Sequence, residues 1–272
     1  MPELPEVETT RRGLEPVLVG QRIRTAIVRN GRLRFRVPPQ LPRLVAGATI
    51  LSLDRRGKYL LANCGAGTLI VHLGMSGRLW IVDGNAPLTR HDHFDLVLEN
   101  GTVVRMRDPR RFGLVLWQRG EPMQHALLAR IGPEPLSPEF GGAWLHRVTR
   151  NRATAIKHVL MDSHAVAGVG NIYANEALFR AGVSPRTAAR RLSRERCDTL
   201  AAEIRTTLEL AIGAGGSSLR DYVRSDGQAG LFQNHFMVYD RAGEPCLRCG
   251  TVIKEIRQGQ RSTFYCPRCQ KA

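Results

Sequence analysis

The chain has 272 residues, enough for two domains with separate cores, and its 43% hydrophobic and 24% charged content is that of a globular protein. Lys and Arg number 40 against 24 Asp and Glu, a formal charge of +16, which points to a polyanionic partner, nucleic acid ahead of an acidic membrane surface. No apolar run approaches the roughly 20 residues of a membrane span, and the charged N-terminal stretch holds no secretory h-region, so an intracellular protein is expected.

Residues 1–18 carry helix signals: Pro5 suits a first turn, Glu6 the positive helix end, and Arg11 and Arg12 fall later. From Arg22 to about Gln118 the hydrophobic period is two. RIRTAIVRN, GTLIVHLG, HFDLVLENGTVVRMRD and FGLVLWQ read as strands in hairpins, with Asn100-Gly101 as a tight turn, and predict an antiparallel sandwich or barrel. Within this region LGMSGR (73–78) is a turn presenting Met75, and DPRRFG (108–113) a turn gathering Arg110, Arg111 and Phe112. On a basic protein, an apolar wedge beside Arg is suited to opening a base step. The Pro- and Gly-rich IGPEPLSPEFGGAW (131–144) marks a domain boundary. Beyond it the period turns helical, at about 153–162, 171–181, 193–213 and 217–224. AGVGNIYANEALF places glycines and Asn171 before an apolar helix, which predicts Asn171 as an N-cap at a helix end that also suits phosphate.

The tail from Arg241 holds CLRC (246–249) and CPRC (266–269), sixteen residues apart. This spacing predicts a four-thiolate structural zinc site on Cys246, Cys249, Cys266 and Cys269. Between the knuckles, TVIKEIRQGQRSTFY alternates as two strands around Gln258-Gly259-Gln260, with Arg261 just past the tip. The metal would clamp a hairpin too small to fold alone. Cys64 and Cys197 stand apart and read as buried apolar residues.

MPELPEVET, RRGKYL, HLGMSGRL, HDHFDLVL, DPRRFG, IGPEPL, AGVGNIYANEALF, SDGQAGLFQ and the zinc hairpin, in this order along nearly the whole chain, together resemble bacterial formamidopyrimidine-DNA glycosylases. The resemblance implies an α+β protein: a β-sandwich, a helical domain with a helix–two-turn–helix element, and a C-terminal β-hairpin zinc finger. The expected boundaries are 1–131 for the N-terminal helix and sandwich, 132–150 for a linker, 151–240 for the helical domain and 241–272 for the finger. It further implies excision of oxidised purines from double-stranded DNA, with strand cleavage at the abasic site, by a cytoplasmic, bacterial, monomeric enzyme.

By the same resemblance Met1 is removed and Pro2 becomes the nucleophile, Glu3 moves protons at the sugar, and Glu6 holds the amine and a water, or merely stabilises the helix end. Lys58 is the proton donor and phosphate contact of β-elimination and Arg261 that of δ-elimination. His91, Arg110, Arg152, Lys157 and Asn171 map onto DNA contacts, and Met75, Arg110 and Phe112 onto a wedge that fills the gap left by a flipped base. Residues 217–231 align with a loop over that base, with Gly227 and Gly230 suited to a mobile lid. Ser163-His164 and Asp240 depart from the usual pattern at positions outside the chemistry. Two rival readings stand beside this one: an endonuclease VIII-type glycosylase for oxidised pyrimidines, and a zinc-ribbon DNA-binding protein without enzymatic activity.

Overall fold

The computed structural model describes residues 2–218 and 229–272. The chain forms two compact units, Met1–Ala129 with Ala214–Leu231, and Arg130–Gly213 with Phe232–Ala272. The first opens on helix α1 (Leu4–Leu18), followed by β1 (Ile23–Val28), the short helix α2 (Leu41–Val45), β2 (Ser52–Arg56), β3 (Tyr59–Asn63), β4 (Thr68–His72), β5 (Arg78–Val82), β6 (Asp92–Leu98), β7 (Val103–Arg107) and β8 (Leu114–Gln118). Two four-stranded antiparallel sheets, ordered β1-β6-β7-β5 and β2-β3-β4-β8, make the expected sandwich. Leu53, Leu60, Ala62, Leu69 and Val71 from one sheet share a core with Leu79, Phe94, Leu96, Val104 and Met106 from the other. Val7, Leu14 and Leu18, on one face of α1, join it. Cys64 is buried at its edge, as the sequence predicts.

The charged residues of HDHFDLVL enter this interior because each has a cross-strand partner. Asp95 pairs with Arg105 across β6 and β7 at 3.0 Å and with Arg29 at 2.7 Å, and Asp92 pairs with Arg107 at 2.7 Å. Asn100-Gly101 forms the β6–β7 turn, with Gly101 at φ +88°.

The second unit holds α3 (Gly142–Thr149), α4 (Ile156–Met161), α5 (Asn171–Arg180), α6 (Arg194–Gly213) and the hairpin β9 (Lys254–Gln258) and β10 (Arg261–Tyr265). The expected linker at 132–150 is not a free connection. Residues 142–149 are helical, α3 packs on α6, and Arg205 of α6 donates to the carbonyls of Leu136, Ser137 and Phe140. Proline removes backbone donors from this stretch, so its carbonyls take an arginine in place of a ladder. Domain grouping also differs from the expected division: the hairpin belongs with the helices, and Ala214–Leu231 with the sandwich. The finger shares a small core of Phe179, Val238, Cys246, Ile253, Phe264 and Cys266. Glu176 of α5 fastens the segment leading into it by accepting from the backbone N–H groups of Met237, Val238 and Tyr239 at 2.8–3.0 Å. Of the helical turn expected at 217–224, Ser217 lies in an isolated bridge to Leu231, and 219–224 fall outside the described residues.

Candidate active site and nucleic-acid interface

In the first unit the chain runs directly into α1. Pro2 is buried, Glu3 is the N-cap and Glu6 the third helical residue, and the two carboxylates form a reciprocal capping box in which the Glu3 N–H donates to Glu6 Oε2 at 2.8 Å. A closed first turn presents residue 2 from a fixed helix start and not from a frayed terminus. Glu6 Oε1 in addition accepts from the backbone N–H and hydroxyl of Ser217, at 2.8 and 3.2 Å. Gly216, at φ +79°, lies so close that a Cβ there would stand 3.0 Å from the same oxygen. Glu6 thus straps the helix start to the chain just ahead of 219–228, the part of the expected lid that lies outside the described residues.

Lys58 occupies the two-residue Gly57-Lys58 turn between β2 and β3, with Gly57 at φ +57°. Arg55 connects this turn to α1, its Nε donating to Glu8 Oε2 at 3.1 Å and its terminal nitrogen to Gly57 O at 3.0 Å. Burial pushes the Glu8 carboxyl up, but hydrogen bonds from Arg11 and Arg12 and the Arg55 charge outweigh it and hold the group below the usual carboxylate value. His72 sits across from Tyr59 on β4, ring centroids 4.7 Å apart, and its Nδ1 accepts from the Gly74 N–H at 2.8 Å. The ring proton is therefore on Nε2. Burial, then the charges of Lys58 and Arg34, push its pKa down to about 3, so the ring is neutral near pH 7. Sequence reasoning missed His72; within GTLIVHLG its signal is a titratable ring at the end of an otherwise apolar strand.

The two turns expected to carry a wedge owe their meeting to topology. β4 pairs with β8 in one sheet and β5 with β7 in the other, so the connections β4–β5 and β7–β8 both cross between sheets at the same end. A Cβ at Gly74 would run into the backbone of Phe112 and Gly113. Met75 is half-buried, Phe112 is 44% exposed, and the Arg110 guanidinium lies 4.9 Å from the Phe112 ring centroid. Arg111 has φ +56°, a left-handed conformation uncommon for a residue with a side chain. His91 is half-buried at this end, its carbonyl accepting from Asp108 N–H at 3.0 Å.

In the second unit the four predicted cysteines converge, with all their Sγ atoms within 4.8 Å of one another and the pairs Cys246–Cys269 and Cys249–Cys266 at 3.9 and 3.5 Å. Tetrahedral zinc with Zn–S bonds of about 2.3 Å requires S···S separations of about 3.8 Å. The donor set fits one structural zinc. Gly259 and Gln260, at φ +52° and +62°, make the two-residue turn of the hairpin and leave Arg261 exposed at the start of β10.

Two residues expected at the DNA surface bond to the finger, Lys157 buried and Asn171 still partly exposed. Lys157 is fully buried, and its ammonium donates to Ser262 O at 3.0 Å and Thr263 Oγ1 at 2.6 Å. The expected phosphate contact gives way to a brace between α4 and β10. Asn171 is not the cap of α5: Gly170 takes that position, and Asn171 Nδ2 donates to the same Ser262 carbonyl at 3.1 Å. Asn175, one turn on, accepts from Phe264 N–H at 2.8 Å. Arg152 stays partly exposed and pairs with Asp162 at 2.8 Å, and Asp162 also accepts from His164, one of the departing residues. Cys197 is fully buried, in keeping with an apolar role.

Three family descriptions match the sequence: Formamidopyrimidine-DNA glycosylase N-terminal domain over residues 1–115, Formamidopyrimidine-DNA glycosylase H2TH domain over 131–223, and the zinc finger found in FPG and IleRS over 243–272. A formamidopyrimidine-DNA glycosylase of Dechloromonas aromatica is 56% identical, the alignment covering 99% of this chain and 100% of the relative. The crystal structure of the MutM (Fpg) protein from Thermus thermophilus superposes with a TM-score of 0.89 at 42% identity, covering 99% of this chain and 98% of that one. The complex between Lactococcus lactis Fpg and DNA containing an abasic site gives a TM-score of 0.92 at 36% identity over 99% and 100% of the two chains.

Proposed function

This chain belongs to the formamidopyrimidine-DNA glycosylase family, and from that membership and the geometry of the α1 start we infer how its residues act. It is a DNA glycosylase of base excision repair with abasic-site lyase activity, its partner is DNA, and it carries one structural zinc. Neither the pyrimidine-directed nor the non-enzymatic rival is favoured by relatives of this name matching over the full chain. The substrate inferred is a duplex bearing 8-oxoguanine, a formamidopyrimidine or an abasic site, acted on by a monomer in the cytoplasm. Among the described residues no helix is long and apolar enough to cross a membrane.

The observation that carries the mechanism is the buried Pro2 followed at once by the Glu3–Glu6 capping box. With Met1 removed, Pro2 is a secondary amine, and an unperturbed terminal amine of pKa about 8 keeps a reactive neutral fraction at working pH. Its lone pair attacks C1′, the glycosidic C–N bond breaks, and the base leaves with the proton that the Pro2 nitrogen gives up. Glu3 protonates the sugar-ring oxygen as the ring opens, leaving a cationic iminium between Pro2 and C1′. The iminium acidifies C2′; loss of that proton expels the 3′ phosphate, with Lys58 as proton donor and phosphate contact. Arg261 serves the second elimination, which expels the 5′ phosphate. Met75, Arg110 and Phe112 occupy the gap while the lesion is everted. His91, Arg152 and Asn171 hold the DNA backbone.

Borohydride reduction tests the nucleophile. The processed enzyme is expected to form a stable covalent adduct with abasic-site DNA, and a protein with an N-terminal tag, confirmed by mass spectrometry, to form none and to lose cleavage. Normal cleavage by the tagged protein would remove Pro2 from the mechanism.

A further inference from the structure

The two turns that carry the wedge share one buried polar residue. Asp108 is fully buried, and its two carboxylate oxygens accept from different partners: Oδ1 from the Ser76 hydroxyl at 2.8 Å and Oδ2 from the Gly113 N–H at 2.7 Å. Its backbone is tied as well, its carbonyl accepting from His93 Nε2 at 2.9 Å and from Arg111 N–H at 3.1 Å. Ser76, 5% exposed, passes the connection on, because its oxygen also accepts from the Arg110 N–H at 3.3 Å. One hydroxyl therefore joins the residue after Met75 to the backbone of Arg110. One carboxylate spans the loop from its first residue to Gly113, the residue after Phe112.

We propose that Asp108 and Ser76 are positioning residues that lock Met75, Arg110 and Phe112 into a single rigid wedge. They thereby set the rate of lesion eversion without entering the chemistry. The lock has a physical purpose at this point in the fold. Arg111 is held at φ +56°, which a non-glycine residue leaves when nothing restrains it, and Phe112 and Arg110 are exposed and stack on each other. A wedge must resist the restoring force of base stacking, so side chains on a turn free to relax would recover less of the cost of flipping. Two donors on opposite oxygens of a carboxylate fix the turn at both ends, and charge-assisted hydrogen bonds of this length are stronger than neutral ones. Placing the two donors on different turns makes the halves of the wedge move together.

The proposal rests on the wedge reading of the proposed function, and the test separates the two. Single-turnover rates are measured for the parent enzyme, Ser76→Ala, Phe112→Ala and the double variant, on an 8-oxoguanine:C duplex and on a duplex with a preformed abasic site. Removing the Ser76 hydroxyl is expected to slow excision by about 5- to 150-fold, the worth of the two hydrogen bonds it makes. Cleavage of the abasic site should slow by much less, so that the ratio of the two rates falls. In the Phe112→Ala background the same change should cost less than its full loss of excision, since one of the three side chains it positions is gone. Asp108→Asn, which turns an amide N–H toward one of the two donors, should repeat the pattern at larger amplitude and serves if Ser76→Ala is poorly folded. An equal loss on both substrates, or the full Ser76→Ala loss persisting in the Phe112→Ala background, would assign the clamp to general folding and overturn the proposal. If Phe112→Ala itself leaves the rate ratio unchanged, the wedge reading fails first, and the clamp with it.

Discussion

Replacing Lys157 with Met distinguishes a brace from a phosphate contact. The ammonium is fully buried and bonded to Ser262 O and Thr263 Oγ1, and Met fills nearly the same volume without the donor. Ser262 O keeps its bond from Asn171 Nδ2, so the substitution leaves Thr263 Oγ1 with the lost donor and spares that carbonyl. Removing the charge also removes the cost of burying it. The net loss is then about 1–3 kcal/mol, less than two charge-assisted bonds taken at face value. For a chain of this size that lowers the melting temperature by roughly 2–12 °C. A phosphate contact behaves differently: each one lost flattens the slope of log K against log salt by about one unit. Lys157→Met is expected to leave the slope unchanged while lowering the melting temperature and weakening the step assigned to Arg261 on β10. Arg152→Ala, which removes a partly exposed guanidinium, should flatten the slope by about one unit and provides the calibration. A slope reduced by Lys157→Met, at unchanged melting temperature, would refute the brace.

Cys249→Ala should release the metal and unfold the hairpin that carries Arg261, because structural zinc contributes about 10 kcal/mol or more to such a site; zinc content and duplex affinity should fall together. Covalent trapping of abasic DNA at saturating enzyme should survive, since no bond-breaking step passes through the metal. In the sandwich, burial pushes the Asp95 carboxyl up, but Arg29 and Arg105 outweigh it and hold the group below its ordinary value of 3.8. A carboxyl depressed in the folded state contributes stability present above that ordinary value and lost as pH falls through the folded one. Asp95→Asn should therefore flatten the acid limb of the stability curve below about pH 4, measured by urea unfolding.

Much of the protein is legible in short stretches. The C-x2-C pairs need only local spacing to announce a thiolate site, Asn100-Gly101 needs only its own backbone preference to close a hairpin, and the helix signals at Pro5 and Glu6 act within one turn. Period-two alternation likewise gave the sandwich, although the buried Asp92 and Asp95 are intelligible only with their arginines in view. What needed the tertiary structure is every contact whose partner is remote in the chain. Glu6 meets Ser217, Lys157 meets Thr263, Asp108 meets Ser76, and Arg205 meets the carbonyls of a stretch that reads as a linker. Propensity and periodicity report on neighbours along the chain, so they place a lysine on a helix and cannot say whether solvent or another backbone waits beside it. For Lys157 the hydrogen-bond acceptors of β10 decided its surroundings, and the turns of Met75 and Phe112 meet because two connections cross between the same pair of sheets.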